Sequence, residues 1–328
     1  MDQIIIGPLG IGGVIDRAIA LARSHFRPLF VAMLLLQAPA LALARLVSAQ
    51  TPGFLLTSTD PRLAAERAPT FLAAAGVLFV VLFLLQSVAL TVTAAVMAPT
   101  LAPDTERSAR PTWARRVVAA AGTGLAQQLL LVLATGLGML PGLLLVLTAR
   151  SGATTLAGAA AAALGGLVLF LVALLRTILA PVVVAVEGLG PWRALRRSAG
   201  LMGPRPGQPA LERPGVRASL LLFTTFVLLL AVNGLAGVPR AVAGGLSGGG
   251  PLPFLPGTLP LPVEVGLSLF ELAAGAALQP FSLAVIVVLY FDRRARLEGL
   301  DLAAWALRLE TALPGSVRAG VTPAEVAR

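Results

Sequence analysis

Six apolar runs, separated by short polar segments that carry arginine, set the pattern of this 328-residue chain. They fall at about 28–47, 71–97, 120–147, 155–186, 218–238 and 268–291, and none holds more than one charged residue. A bilayer core takes about 20 apolar residues of helix, so each run is long enough to span it. In lipid every backbone amide must bond within its own segment, which makes α-helix the expected conformation. The expected fold class is therefore all-α: a polytopic membrane protein of six transmembrane helices in one integral membrane domain, residues 1–328. Residues 117–149 are uncharged around Leu140-Pro141-Gly142 but too short for two spans, so one long helix, kinked at Pro141, is expected there. Ser151-Gly152 marks the turn that follows.

Helical periodicity continues outside the spans. Ile11, Val14, Ile15, Ala18, Ile19, Ala22 and Phe26 recur at i, i+3, i+4, i+7 spacing, with Asp16, Arg17, Arg23, Ser24 and Arg27 opposite. Residues 11–26 thus predict an interfacial helix ahead of the first span. Residues 191–202 predict another ahead of the fifth, opened by Pro191, with Trp192, Leu195, Ala199 and Met202 as its apolar face and Arg193, Arg196 and Arg197 as its basic one. The order interfacial helix, span, span therefore occurs twice around a central pair, a layout compatible with an old duplication. Beyond the last span, Asp301 is placed to cap a short helix, 302–311, with Leu302, Trp305, Ala306 and Leu309 on its apolar face. Segments 48–69 and 238–263 read as connecting loops, the second rich in Gly and Pro.

Composition agrees: 57% of residues are hydrophobic and 12% charged, with a mean hydropathy of +0.89. All 25 basic residues are arginine, and the net charge is +10. In a membrane protein such charge sets orientation and meets anionic lipid, so no nucleic-acid partner is expected. Nineteen of the arginines lie in the N-terminal segment, the loops after spans two and four, and the C-terminal tail. Arg45, Arg62, Arg67, Arg150 and Arg240 fall on the other side, and Arg176 lies within span four. This bias predicts cytoplasmic termini, with the first span kept as an uncleaved anchor.

Candidate chemistry is sparse. Without cysteine, and with His25 as the only histidine, thiol catalysis, disulfides and histidine metal clusters are excluded. Gly245-Leu246-Ser247-Gly248-Gly249 matches the string G-x-S-x-G, but no histidine is placed to serve as its base, so it reads as linker. No catalytic residue, cofactor or metal is expected. Polar residues within the spans carry more information. Arg176 lies eleven residues before Glu187, about 16 Å along the helix. It is expected to snorkel or to bond the Thr177 carbonyl, which Pro181 leaves without an amide donor. Gln127, Gln128, Asn233, Gln279 and Glu271 either line a polar path or hydrogen-bond between helices. Gly158, Ala162 and Gly166 have the spacing that lets helices approach closely. Arg17, Arg23, Arg193, Arg196, Arg197, Arg293, Arg294 and Arg296 are the candidates for lipid headgroups, with Tyr290 as an interfacial anchor.

Three stretches carry a family resemblance: Val14-Ile15-Asp16-Arg17-Ala18 with Arg27-Pro28, the span-four exit from Ala180 to Ser198, and the span-six exit from Leu289 to Leu302. Together they resemble the bacterial multi-pass proteins related to the membrane domain of glycerophosphoryl diester phosphodiesterases. The resemblance implies a bacterial inner-membrane location and the membrane fold. It does not imply phosphodiesterase activity, because no extramembrane segment of this sequence is long enough to be that soluble domain.

The expected function is a non-enzymatic scaffold or accessory component of a lipid or envelope process. It would work on anionic lipid, and on other membrane proteins or further copies of itself, through its basic face. The alternative is a transporter or permease subunit with a polar path around Arg176. A transporter would bring Arg176, Gln127, Gln128, Asn233 and Glu271 to one cavity; a scaffold would hold no polar cavity.

Overall fold

The computed structural model describes residues 9–50, 61–101, 113–149, 151–203, 213–246 and 259–299. All regular structure among them is helical. In chain order the helices are α1 (Ile11–Ser24), α2 (Phe26–Gln50), α3 (Pro61–Leu101), α4 (Trp113–Thr148), α5 (Gly152–Thr177), α6 (Ala180–Glu187), α7 (Pro191–Leu201), α8 (Pro214–Leu246) and α9 (Leu261–Glu298). Six stretches are long and apolar enough to cross a membrane: Phe26–Leu43, Gly76–Leu101, Val117–Thr148, Gly152–Glu187, Pro214–Ala243 and Pro262–Glu298. The chain is a multi-pass α-helical membrane protein.

Local chemistry explains the breaks. α1 and α2 meet at His25, whose N–H still bonds the Leu21 carbonyl at 3.1 Å while its backbone leaves the helical region. Span four is split at Ile178-Leu179, where Pro181 opens α6 and lacks the N–H that would continue the ladder. Gly188 ends α6 and Gly299 ends α9, each in the left-handed region that costs glycine nothing. α4 runs unbroken through Pro141. Ser151 caps α5 reciprocally with Thr154.

One packed core joins the arginine-rich ends of the helices. It takes in Val14 and Leu21 of α1, Leu29 and Met33 of α2, Met97 and Leu101 of α3, nearly all of α6, Leu195 and Leu201 of α7, Leu221 of α8, and Leu283 to Phe291 of α9. This is the basic end; the far ends of the spans form the opposite end. There α4 and α5 pack on each other as a hairpin. An ideal Cβ on Gly138 would lie 2.2 Å from the Gly165 carbonyl oxygen, and one on Gly142 2.0 Å from the Ala162 amide nitrogen. Gly158, Ala162 and Gly166 are buried in this seam, so small residues set the backbone approach where lipid supplies no hydrophobic drive.

Four expectations change. The segment 48–69, expected as a loop, is helical at 48–50, where α2 ends, and at 61–69, where α3 begins. α1 does not simply lie on the bilayer; it packs on α9 through Val14, Ala18, Leu21 and Ala22, leaving Ile19 and Phe26 exposed. The buried face of α7 is Ala194, Leu195, Ser198 and Leu201, and Trp192 is exposed. Small side chains suit close packing on neighbouring helices, while the indole suits the bilayer interface. Residues 238–246 continue α8 despite Pro239 and their glycines. Most of the G-x-S-x-G string and the helix expected at 302–311 lie outside the described residues.

Candidate functional site

Two charged networks and one cavity account for the polar residues of the spans. At the basic end Asp292 is fully buried and joins the segment ahead of α1 to α8 and α9. Its Oδ1 accepts the Leu9 N–H at 2.8 Å, and Arg296 Nε donates to its two oxygens at 3.1 and 3.2 Å. Arg217 Nη1, on α8, lies 3.5 Å from Oδ2. The Leu9 carbonyl then accepts Arg217 Nη2 and Arg296 Nη2, each at 2.7 Å. The segment ahead of α1 is thereby clamped between α8 and α9.

Beside it, Glu187 at the end of α6 accepts Arg197 Nε at 3.1 Å and the Tyr290 hydroxyl at 2.8 Å. Arg197 also bonds Glu298, and Arg294 Nε donates to Glu298 at 2.8 Å while its guanidinium lies 5.7 Å from the Tyr290 ring centre. Arg293 Nε donates to the Leu201 carbonyl at 3.1 Å, satisfying an orphan acceptor at the end of α7. Burial disfavours the charged form of Arg197, but Glu187 and then Glu298 outweigh it and raise the guanidinium pKa. A raised cation pKa keeps Arg197 charged at every pH below the ordinary arginine value, so on the arginine side the pairing does not respond to physiological pH changes.

The opposite end carries a second network across three helices. Glu264, Ser268 and Glu271 share one face of α9 at i, i+4, i+7 spacing. Arg240 of α8 donates through Nε to Glu271 at 2.6 Å, through Nη1 to Glu264 at 2.6 Å and through Nη2 to Ser268 at 3.1 Å. Arg45 of α2 reaches Glu271 at 2.7 Å and Glu264 at 3.4 Å. Among the described residues, two guanidiniums meet two carboxylates here. The Arg240 side chain is 7% exposed and that of Arg45 29%, so Arg45 is the looser partner.

Below this network, toward the bilayer middle, α2, α3, α8 and α9 enclose a cavity of about 620 Å³, within the usual range of ligand pockets. Leu36, Leu41, Phe79, Leu82, Phe83 and Leu272 are among its apolar walls. Gln37, Gln86, Asn233, Gln279 and Glu271 supply its polar surface. Gln279 donates to Gln86 across it, while Gln37 and Asn233 have no hydrogen-bond partner among the described residues. Gly275 leaves room for Gln37: a Cβ there would lie 3.0 Å from its Oε1. Phe79, Leu82, Gln86 and Asn233 are exposed, so the cavity opens on the flank of the bundle.

The singled-out residues divide accordingly. Asn233, Glu271 and Gln279 meet in the cavity. Gln127 and Gln128 are buried elsewhere on α4, and both amide atoms of Gln128 lack partners among the described residues. The Arg176 side chain is exposed, and its carbonyl accepts Ser198 Oγ at 2.8 Å. The polar path expected around Arg176 is not formed: Arg176, Gln127 and Gln128 lie apart from Asn233 and Glu271, and the cavity lies among α2, α3, α8 and α9 instead. Of the headgroup candidates, Arg23, Arg193 and Arg196 are exposed, Arg196 lying 5.6 Å from the Trp192 ring centre, and Arg17 is half-buried. Arg197, Arg293, Arg294 and Arg296 are instead committed to internal partners, and Tyr290 is buried in the clamp rather than set at the lipid surface. Sequence reasoning passed over Gln37, Gln86, Arg45, Arg240 and Glu264. The available signal was two arginines on the side poor in arginine, with two acids seven residues apart to match them. No family model, curated protein or solved structure matches this chain.

Proposed function

We propose that this protein is a transporter or permease component that takes an amphiphilic cargo from the bilayer into the cavity among α2, α3, α8 and α9. The observation that carries this reading is the pair of unpartnered amides, Gln37 and Asn233, set in apolar walls within the spans. A polar side chain inside a membrane is costly unless it is bonded, so amides left open there fit an exchangeable ligand better than static packing. A scaffold alone gives no reason for such a cavity. The flank opening admits cargo sideways from lipid, and the network of Arg45, Glu264, Arg240 and Glu271 lies across its other end. The exposed Arg23, Arg193 and Arg196 add a surface for anionic headgroups that seats the basic end.

The membrane is inferred to be the bacterial inner membrane, with both termini cytoplasmic, on the arginine bias. Kinship with the membrane domains of glycerophosphoryl diester phosphodiesterases belongs to the same proposal. Its two exit motifs supply Glu187, Arg197, Tyr290, Asp292, Arg294 and Arg296 of the clamp. The test uses phosphatidylcholine vesicles carrying the full chain and a fluorescent lysophosphatidylcholine. Exchange of the probe between leaflets is expected to be faster with protein than without, and Gly275→Leu, which fills the cavity, is expected to remove the gain. Equal rates with and without protein, or a Gly275→Leu chain as fast as the original, would refute the carrier reading.

A further inference from the structure

We infer that the cavity prefers amphiphiles with a cationic polar end, an ammonium group on an apolar chain, and that Glu271 reads that charge. The inference rests on the carrier reading above and adds the class of cargo. Among the residues that line the cavity, the only ionisable one is Glu271. Arginine lines none of it, and the chain has no lysine, so a carboxylate or phosphate entering would meet a like charge and no cation. Two phenyl rings, Phe79 and Phe83, 6.3 Å apart between centres, stand in the wall, and ring faces attract ammonium groups. The open amide oxygens of Gln37 and Asn233 can accept its N–H donors.

The network can release Glu271 in part. Arg240 holds Oε1 at 2.6 Å and is tied to Glu264 and Ser268 as well, so it is fixed. Oε2 bonds Arg45 at 2.7 Å and more loosely accepts Arg240 Nη2 at 3.4 Å, and Arg45 already stands 3.4 Å from Glu264. As an ammonium group approaches from the cavity, Arg45 can lean to Glu264 and leave Oε2 to the cargo. A cation then takes the place of a cation at one carboxylate oxygen, with Glu264 shared by both guanidiniums. An anionic cargo has no equivalent exchange, because Glu271 and no guanidinium lines the cavity.

The experiment compares dodecylamine, dodecanol and dodecanoate, each carrying the same diazirine, on the full chain in phosphatidylcholine nanodiscs. Photolabelling of the wall peptides around Phe83 and Leu272 is read against labelling of the exposed flank of α4 at Leu133 and Leu137, which corrects for partition into lipid. The amine is expected to exceed both others at the wall by about tenfold, the worth of one hydrogen bond to a charged group. E271Q is expected to abolish that preference, and E298Q, which removes an arginine-bonded carboxylate at the basic end, to keep it. Equal labelling by all three probes, preference for dodecanoate, or loss of preference in E298Q as full as in E271Q would overturn the charge inference and leave the carrier reading standing. Failure of every probe to reach the wall would overturn both. The comparison of probes on the unaltered chain decides the matter even where E271Q does not fold.

Discussion

The two ends of the molecule hold their charges differently. At the basic end, arginines bond carboxylates and backbone carbonyls together: Asp292 takes Arg217, Arg296 and an amide, and the Leu9 carbonyl takes both arginines again. At the opposite end, the arginine contacts of Arg45 and Arg240 run to the side chains Glu264, Ser268 and Glu271, beside a cavity. A carboxylate saturated by fixed donors in a packed core has one arrangement. A set of two acids and two guanidiniums at the edge of open space can re-pair at small cost. The basic end is therefore the frame, and the opposite end is where the protein adapts.

The largest expected break in that contrast is Asp292→Ala, which strands Arg217 and frees the segment ahead of α1. A buried pair broken from one side costs about 3–5 kcal/mol, so the variant should unfold at markedly lower denaturant in mild detergent. Next comes the α4–α5 hairpin: Gly142→Leu drives a side chain into the backbone at Ala162 and should cost about 1–3 kcal/mol on the same assay. Gln128→Leu works the other way. Removing a buried amide without partners should raise stability by about 1 kcal/mol, and a loss of that size would mean the amide is bonded by water. Smallest is Arg45→Ala, where partial exposure limits the stability change to about 0–1 kcal/mol. It should nonetheless strengthen the preference for amine over alcohol in the photolabelling assay, because Arg45 no longer competes for Glu271, separating function from stability.

The frame was legible in the sequence further than the adaptable part. Six spans followed from run length and the rarity of charge, and α4 stayed one helix at Pro141 because too little apolar length remained for two. Periodicity located α1 and α7 and rightly put Leu195 and Met202 on the buried side of the second, yet it put Trp192 there too. Hydrophobicity ranks Trp192 as core, whereas packing there favoured Ala194 and Ser198. Glycine content misread residues 238–246, where the helix persists and carries Arg240 to Glu271. The cavity was legible only in part. Asn233, Glu271 and Gln279 stood out as polar within apolar runs, and Gln37 and Gln86 met the same criterion unremarked. Which of these amides face one another depends on helix rotation and neighbour choice, and a run of twenty apolar residues encodes neither strongly. Partners such as Leu9 and Asp292 are a backbone group and a side chain at opposite ends of the chain, and no local pattern links them.

A chain without cysteine allows the contrast between the two ends to be measured directly, with spin labels placed only where they are introduced. One pair, Phe79→Cys with Asn233→Cys, spans the cavity opening; the other, Arg23→Cys with Trp192→Cys, spans the basic end. In nanodiscs, adding dodecylamine should shift the distance distribution of the cavity pair and leave that of the basic pair unchanged. A cavity pair that does not respond, or a basic pair that moves as much, would contradict the division into a fixed frame and an adaptable cargo site.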